Sequence, residues 1–168
     1  MKGNNISLRQ EVFRNDALMI VDWLNDFEII RYLNEESQIC RHIKNMVESC
    51  NNPVLTPIFN QRGSFFMIDK REEPIGFLKL VPKGDKAEIV IAIGNKEEWG
   101  KGIGPNAVLQ GLKTAFFDWR VDEVIAKVKY DNNRSRRVFE KIGFELEKNL
   151  DKEVQYNLTM MDFFKQIA

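Results

Sequence analysis

The stretch EEWGKGIGPNAVLQGLK, residues 97–113, constrains the fold most, because it joins a strand pattern to a helix pattern through glycines at alternate positions. Upstream lies AEIVIAI (87–93), an apolar run of strand length; downstream, PNAVLQGLKTAFFDW (105–119) repeats its apolar residues at helical spacing. Gly100, Gly102 and Gly104 carry no Cβ, so peptide N–H groups can converge on a shared hollow that a ligand touches directly. The helix mouth adds unpaired N–H donors and partial positive charge. Together these make an anion site suited to phosphate. The glycines alone are equally compatible with a tight turn that opens a helix.

Around this turn the chain alternates cleanly. Ala17, Ile20, Val21 and Leu24 mark an amphipathic helix after the capping candidates Asn15 and Asp16. Ile39, Cys40, Ile43, Met46, Val47 and Cys50 mark a second, opened by Ser37. Two prolines in NNPVLTP (51–57) argue against regular helix there. SFFMI and IGFLKLV then read as a hairpin across DKREEP, and AEIVIAI as the third strand of an antiparallel meander. In the helix 105–119 the buried face is Val108, Leu112, Ala115, Phe116 and Trp119. VIAKV is a strand and NNRSRRVFEKI a short helix stopped by Gly143. The last strand alternates Val154, Tyr156, Leu158 and Met160 with Gln155, Asn157 and Thr159, which predicts one wet face. The order predicts an α+β fold, a mixed and mostly antiparallel sheet flanked by helices, in a single domain 1–168. The glycine turn then lies at the carboxyl end of its strand, where open sheets bind ligands.

Charge narrows the partners. Lys plus Arg and Asp plus Glu number 25 each, so no global field recruits nucleic acid or an anionic membrane. The opening MKGNNISLRQEVF lacks the apolar core of a signal peptide and no apolar run reaches membrane length, which points to the cytoplasm. Cys40 and Cys50 stand about 15 Å apart along one helix, too far to bridge, and share its apolar stripe, so they read as buried thiols. With His42 the single histidine, a Cys/His zinc cluster is not expected, and His42 reads as a partly exposed helix residue. A P-loop is excluded because Gly102 follows Lys101, and a Rossmann site is disfavoured by the glycine spacing.

Two motifs carry a family resemblance. WGKGIG fills a pyrophosphate-loop frame, with Trp99 where Gln or Arg is commonest, and NNRSRRVFEKIGF from Asn132 to Phe144 fills a second signature one helix and one strand later. In these, and in DWLNDFEIIRYLNE nearer the start, the sequence resembles the GCN5-related N-acetyltransferase (GNAT) family, in its ribosomal-protein N-terminal and small-amine branch.

The resemblance implies an acyl-CoA N-acyltransferase fold, with acetyl-CoA as co-substrate, an amine acceptor and no metal. It also implies direct attack on a thioester carbonyl held by a main-chain N–H near Ile93 or Gly94, with Ile91 and Ile93 along the coenzyme's arm. Trp99, Gly100, Lys101, Gly102, Ile103, Gly104 and Asn106 form the loop; Pro105, read as a first helical residue, donates no N–H. Arg134, Arg136 and Arg137 crowd a helix start where positive charge is unfavourable, so an anion such as the 3′-phosphate would relieve them; a solvated basic face is the alternative. Asn132 either contacts the pantetheine arm or caps its helix, and the two are compatible.

Glu88 is the base candidate, acting through water, or else a strand-edge charge. Phe139 occupies the place of the family's frequent Tyr acid, so the thiolate leaves unaided or Ser135, Tyr130 or Tyr156 supplies the proton; Phe139 becomes core or pocket wall. The first two helices and the segment 51–63 should roof the acceptor cleft, and Asp22, Asp26, Glu28, Glu35 and Glu36 would make it acidic or serve as solvated helix faces. A catalytically idle acetyl-CoA-binding module is the rival reading, and monomer and homodimer are both open.

Overall fold

The computed structural model describes residues 5–33 and 38–168. A short strand β1 (Ile6–Arg9) leads into four helices, α1 (Arg14–Leu24), α2 (Phe27–Ile30), α3 (Ile39–Ser49) and α4 (Thr56–Phe59). Then come β2 (Ser64–Lys70), β3 (Glu73–Lys83), β4 (Lys86–Ile93), α5 (Ile103–Lys113), β5 (Glu123–Lys129), α6 (Asn133–Ile142), β6 (Glu145–Asn149), β7 (Glu153–Thr159) and α7 (Met160–Ile167). The seven strands form one sheet in the order β1-β2-β3-β4-β5-β7-β6. Every neighbouring pair is antiparallel except β4 and β5. This is the mixed α+β sheet that the pattern predicts.

Strand alternation sends side chains to two cores. Leu78, Leu80, Ile89 and Val124 pack with Val108, Leu112 and Phe116 of the α5 segment, while Phe65, Met67 and Phe77 pack with Ile20, Leu24, Ile43 and Val47 of α1 and α3. Arg9 ties the second layer to the sheet: its Nε donates to Asp69 at 2.7 Å and its Nη1 to Asp16 at 2.8 Å. Asp16 is only 4% exposed and is not the N-cap; as the third helical residue it also accepts the Phe13 N–H at 2.8 Å.

Several expectations are corrected. Pro57 does not prevent helix: α4 accommodates it in the first turn, where no intrahelical N–H is needed. The β2–β3 turn is only Arg71 and Glu72, both at positive φ, so Pro74 lies inside β3 beside an irregularity in the β2 register. Helix α5 starts at Ile103, two residues early, and ends in a π-helical turn Thr114–Asp118, leaving Trp119 half-buried at its exit. Met160 opens α7 instead of extending β7, because Thr159 accepts the Asp162 N–H as an N-cap. Nor is the second face of β7 simply wet. Gln155 is 6% exposed, donating to Glu147 at 2.6 Å, and Asn157 donates to Glu123 at 2.9 Å. Cys40 and Cys50 are only half-buried. Ser37, expected to open the second helix, lies outside the described residues.

Candidate active site

The site begins where β4 and β5 part. They pair only at Ala87–Val124 and Glu88–Ile125, so the rest of β4, through Ile93, has no β5 partner. On its other side β4 pairs with β3 as far as Gly76–Ile93, and the Gly94 N–H donates to the Ile75 carbonyl at 2.8 Å. Antiparallel ladders alternate hydrogen-bonded and non-bonded pairs, so the Gly76–Ile93 and Leu78–Ile91 pairs are non-bonded and the Ile91 and Ile93 amides face away from β3, into the opening. This separates two residues that the sequence left equivalent: the Gly94 amide is consumed by β3, and the Ile93 amide points into the cleft.

At the carboxyl end of β4 a 3-10 turn, Lys96–Glu98, leads into the glycine loop. Gly100 and Gly102 adopt φ of +77° and +76°, a left-handed conformation that a side chain would strain, and Gly102 is the N-cap of α5. A Cβ on either would meet nothing within 4 Å, so the outer side of the loop is open space. Pro105 is the third helical residue, still among those whose N–H would have no intrahelical partner. Asn106 is turned into the helix, its Oδ1 accepting from Gln110 at 2.8 Å. Lys101 lies 3.7 Å from Glu98, whose carboxyl a 2.6 Å bond from Lys70 holds below its usual pKa. Neither Lys101 nor Asn106 lines the cavity described next.

That cavity, of about 980 Å³, runs from Gly100, Gly102 and Gly104 along β4 to Glu88. Ser135, Arg137 and the 3%-exposed Phe139 of α6 line its flank with Asn132, so Phe139 is both core and wall. Leu24, Ile43, Met46 and Phe59 line it from the helical layer, together with Gln61, Arg62 and Gly63, the segment expected to roof the acceptor. Glu88 keeps 13% of its side chain exposed and lies 3.4 Å from Lys83. Asn132 caps α6, its Oδ1 accepting the Ser135 N–H at 3.2 Å.

The three proton-donor candidates separate. Ser135 lines the cavity, whereas the Tyr130 hydroxyl donates to the Leu150 carbonyl and does not. Tyr156 is buried between β7 and α6, donating to Glu140 at 2.8 Å and accepting from Arg136 at 3.1 Å; burial pushes its pKa up. The three arginines also separate. Arg136 is committed to Tyr156, while Arg134 and Arg137 line the cavity. Arg134 stacks on the Trp99 ring, 3.5 Å from its centroid, and burial lowers its pKa.

The cavity expected to take the acceptor is mixed in charge rather than acidic. Lys79, Lys83 and Lys127 line it with Glu88 and Glu28, while Asp26 caps α2 and holds Lys96 at 2.7 Å; Glu35 and Glu36 lie outside the described residues. His42 is exposed on the cavity's rim. Trp23 was not anticipated: a Cβ on Gly94 would come within 2.1 Å of its ring, so the end of β4 lies flat against α1. Ile20, Trp23 and Leu24 share a helical stripe, which signals burial but not the partner.

A family model described as "Acetyltransferase (GNAT) domain" matches residues 7–145. The chain is 25% identical over 141 residues to an N-acetyltransferase p20 of Bacillus licheniformis described as uncharacterized, covering 79% of this chain and 75% of that one. Among solved structures, the aminoglycoside acetyltransferase AAC(6')-Ib in complex with coenzyme A superposes with a TM-score of 0.78 at 19% identity, over 98% of this chain and 100% of that one. Spermidine N-acetyltransferase from Vibrio cholerae, in complex with CoA and spermine, superposes with a TM-score of 0.76 at 19% identity, over 95% and 98%. No helix among the described residues is long and apolar enough to cross a membrane. With the glycine loop, the parted strands and the α6 signature brought onto one cavity, the chain belongs to the GNAT acetyltransferase family.

Proposed function

We propose that the protein binds acetyl-CoA in this cavity and transfers its acetyl group to a primary amine, on a small molecule or a protein N-terminus, by direct attack through a tetrahedral intermediate. The observation that carries the reading is continuity: one cavity joins an open glycine loop at a helix N-terminus, an unpaired strand flank and a carboxylate. The loop suits a pyrophosphate, since its open side would admit a phosphate where a Cβ finds no neighbour. The Ile91 and Ile93 amides suit an extended pantetheine arm laid along β4, with the thioester carbonyl against the Ile93 N–H. Coenzyme A in the aminoglycoside enzyme and CoA with spermine in the spermidine enzyme support the same assignment of substrate classes.

The amine approaches from the α1 and α3 side and must lose a proton. Glu88 accepts it through water, and the thiolate of ordinary pKa, about 8.5, leaves unaided or takes a proton from Ser135. An α-amine of pKa about 7.7–8.0 is substantially free at neutral pH, whereas a side-chain ammonium near 10.4 is not. With one modest base arrangement, acceptors of low amine pKa are favoured. The test is thiol release from acetyl-CoA over a panel of α-amino peptides, polyamines, aminoglycosides and amino-sugars. Release with at least one class is expected; coenzyme binding without release from any of them would instead identify an idle coenzyme-binding module.

A further inference from the structure

We propose that Trp99 is a positioning residue for acyl transfer, orienting the Ile93 amide by holding the Ile93 carbonyl; the inference rests on the function proposed above. The peptide group between Ile93 and Gly94 is gripped at both poles. Its N–H donates to Ile75 on the β3 side at 2.8 Å, and its carbonyl accepts the Trp99 indole N–H at 2.9 Å on the other. Gly94 also lies flat against the Trp23 ring, where even a Cβ would overlap at 2.1 Å. Three contacts hold this plane, and the Ile93 N–H, in the preceding plane, is joined to it through a single Cα, so its direction follows the held plane through the Ile93 φ and ψ alone.

In a strand, the N–H and C=O of one residue project to the same side. The Ile93 amide therefore enters the β4–β5 opening beside the carbonyl that Trp99 holds. The Arg134 guanidinium, 3.5 Å over the indole, keeps the ring from swinging outward. Nothing in the sequence motif assigns this duty, since Gln or Arg is commonest at the Trp99 position and the indole N–H turns inward to the strand instead of outward to a ligand. A loop tie of purely structural purpose would need no partner at Ile93 in particular. Here the tie is made to the one residue whose amide the opening exposes at the strand end.

Trp99→Phe keeps an aromatic face for Arg134 and removes only the N–H. Losing one preorganised hydrogen bond that acts through a donor to the oxyanion should lower kcat about tenfold while KM for acetyl-CoA stays within about twofold. The second readout needs no acceptor: the carbonyl stretch of bound acetyl-CoA labelled with carbon-13 at the thioester, displaced from its solution frequency in the wild type, should return toward it in the variant. Unchanged kcat and frequency in Trp99→Phe, with a wild type that binds and turns over, would remove the role of Trp99 and leave the function standing. A fall in melting temperature or coenzyme affinity with an unshifted carbonyl would overturn it likewise. A wild type that fails to bind acetyl-CoA would overturn the functional reading and this inference with it. If the phenylalanine variant does not fold, benzothienylalanine at position 99, which keeps the bicyclic shape without the N–H, reads the same two quantities.

Discussion

Glu88 stands on β4 with Lys83 3.4 Å away and the cavity before it, and its duty can be tested as a proton acceptor. In Glu88→Gln the amide cannot take the proton, so kcat/KM at neutral pH should fall about a hundredfold. The deficit should shrink as pH rises and the amine deprotonates by itself. A pH–rate profile parallel to that of the wild type would remove Glu88 as the base. At this scale the sequence was legible where partners are near in the chain. Asn132 caps α6 three residues from Ser135, and Gly143 stops it at a left-handed φ of 114°. It was not legible for the tyrosines, whose hydroxyls were claimed by Leu150, 20 residues from Tyr130, and by Glu140, 16 residues from Tyr156. Chemistry-bearing residues read alike until the fold assigns their partners.

On the proposed function, helix α5 is the element on which coenzyme binding turns. Gly102 caps it at a φ that a β-branched residue resists, with strain of about 1–2 kcal/mol. Gly102→Val should therefore cost only a few degrees of melting temperature. It should weaken acetyl-CoA at least about tenfold, because the side chain would occupy the open side of the loop. Calorimetric titration beside a thermal melt separates the two effects, and unchanged affinity would move the pyrophosphate elsewhere. Elements escaped the sequence for two reasons. Strand β1 and helices α2 and α4 are four residues long, too short to show a period, while Met160 at the start of α7 continues the alternation of β7. The Thr159-to-Asp162 spacing, a capping signal, could have revealed α7.

Across the whole molecule, Arg9 joins the helical layer to the sheet by binding Asp16 of α1 and Asp69 of β2. Arg9→Met would leave two buried carboxylates without their cation. Breaking such a pair costs about 3–5 kcal/mol when fully buried, and water reaches part of Arg9, so about 2–3 kcal/mol is expected. Urea unfolding should remain a single transition by fluorescence and circular dichroism if the two layers fold as one unit; two transitions would show that the layers unfold separately. The sequence by itself determined the alternation of strands and helices, the glycines at the loop and the order of the two signatures, because periodicity, backbone freedom and helix capping act within a few residues. Only the tertiary structure decided where β4 leaves β5, which strand-end amide faces the opening, which of the three arginines reach the cavity and what Trp99 holds. Those outcomes depend on sheet register and on packing between segments distant in the chain, and no local spacing encodes either.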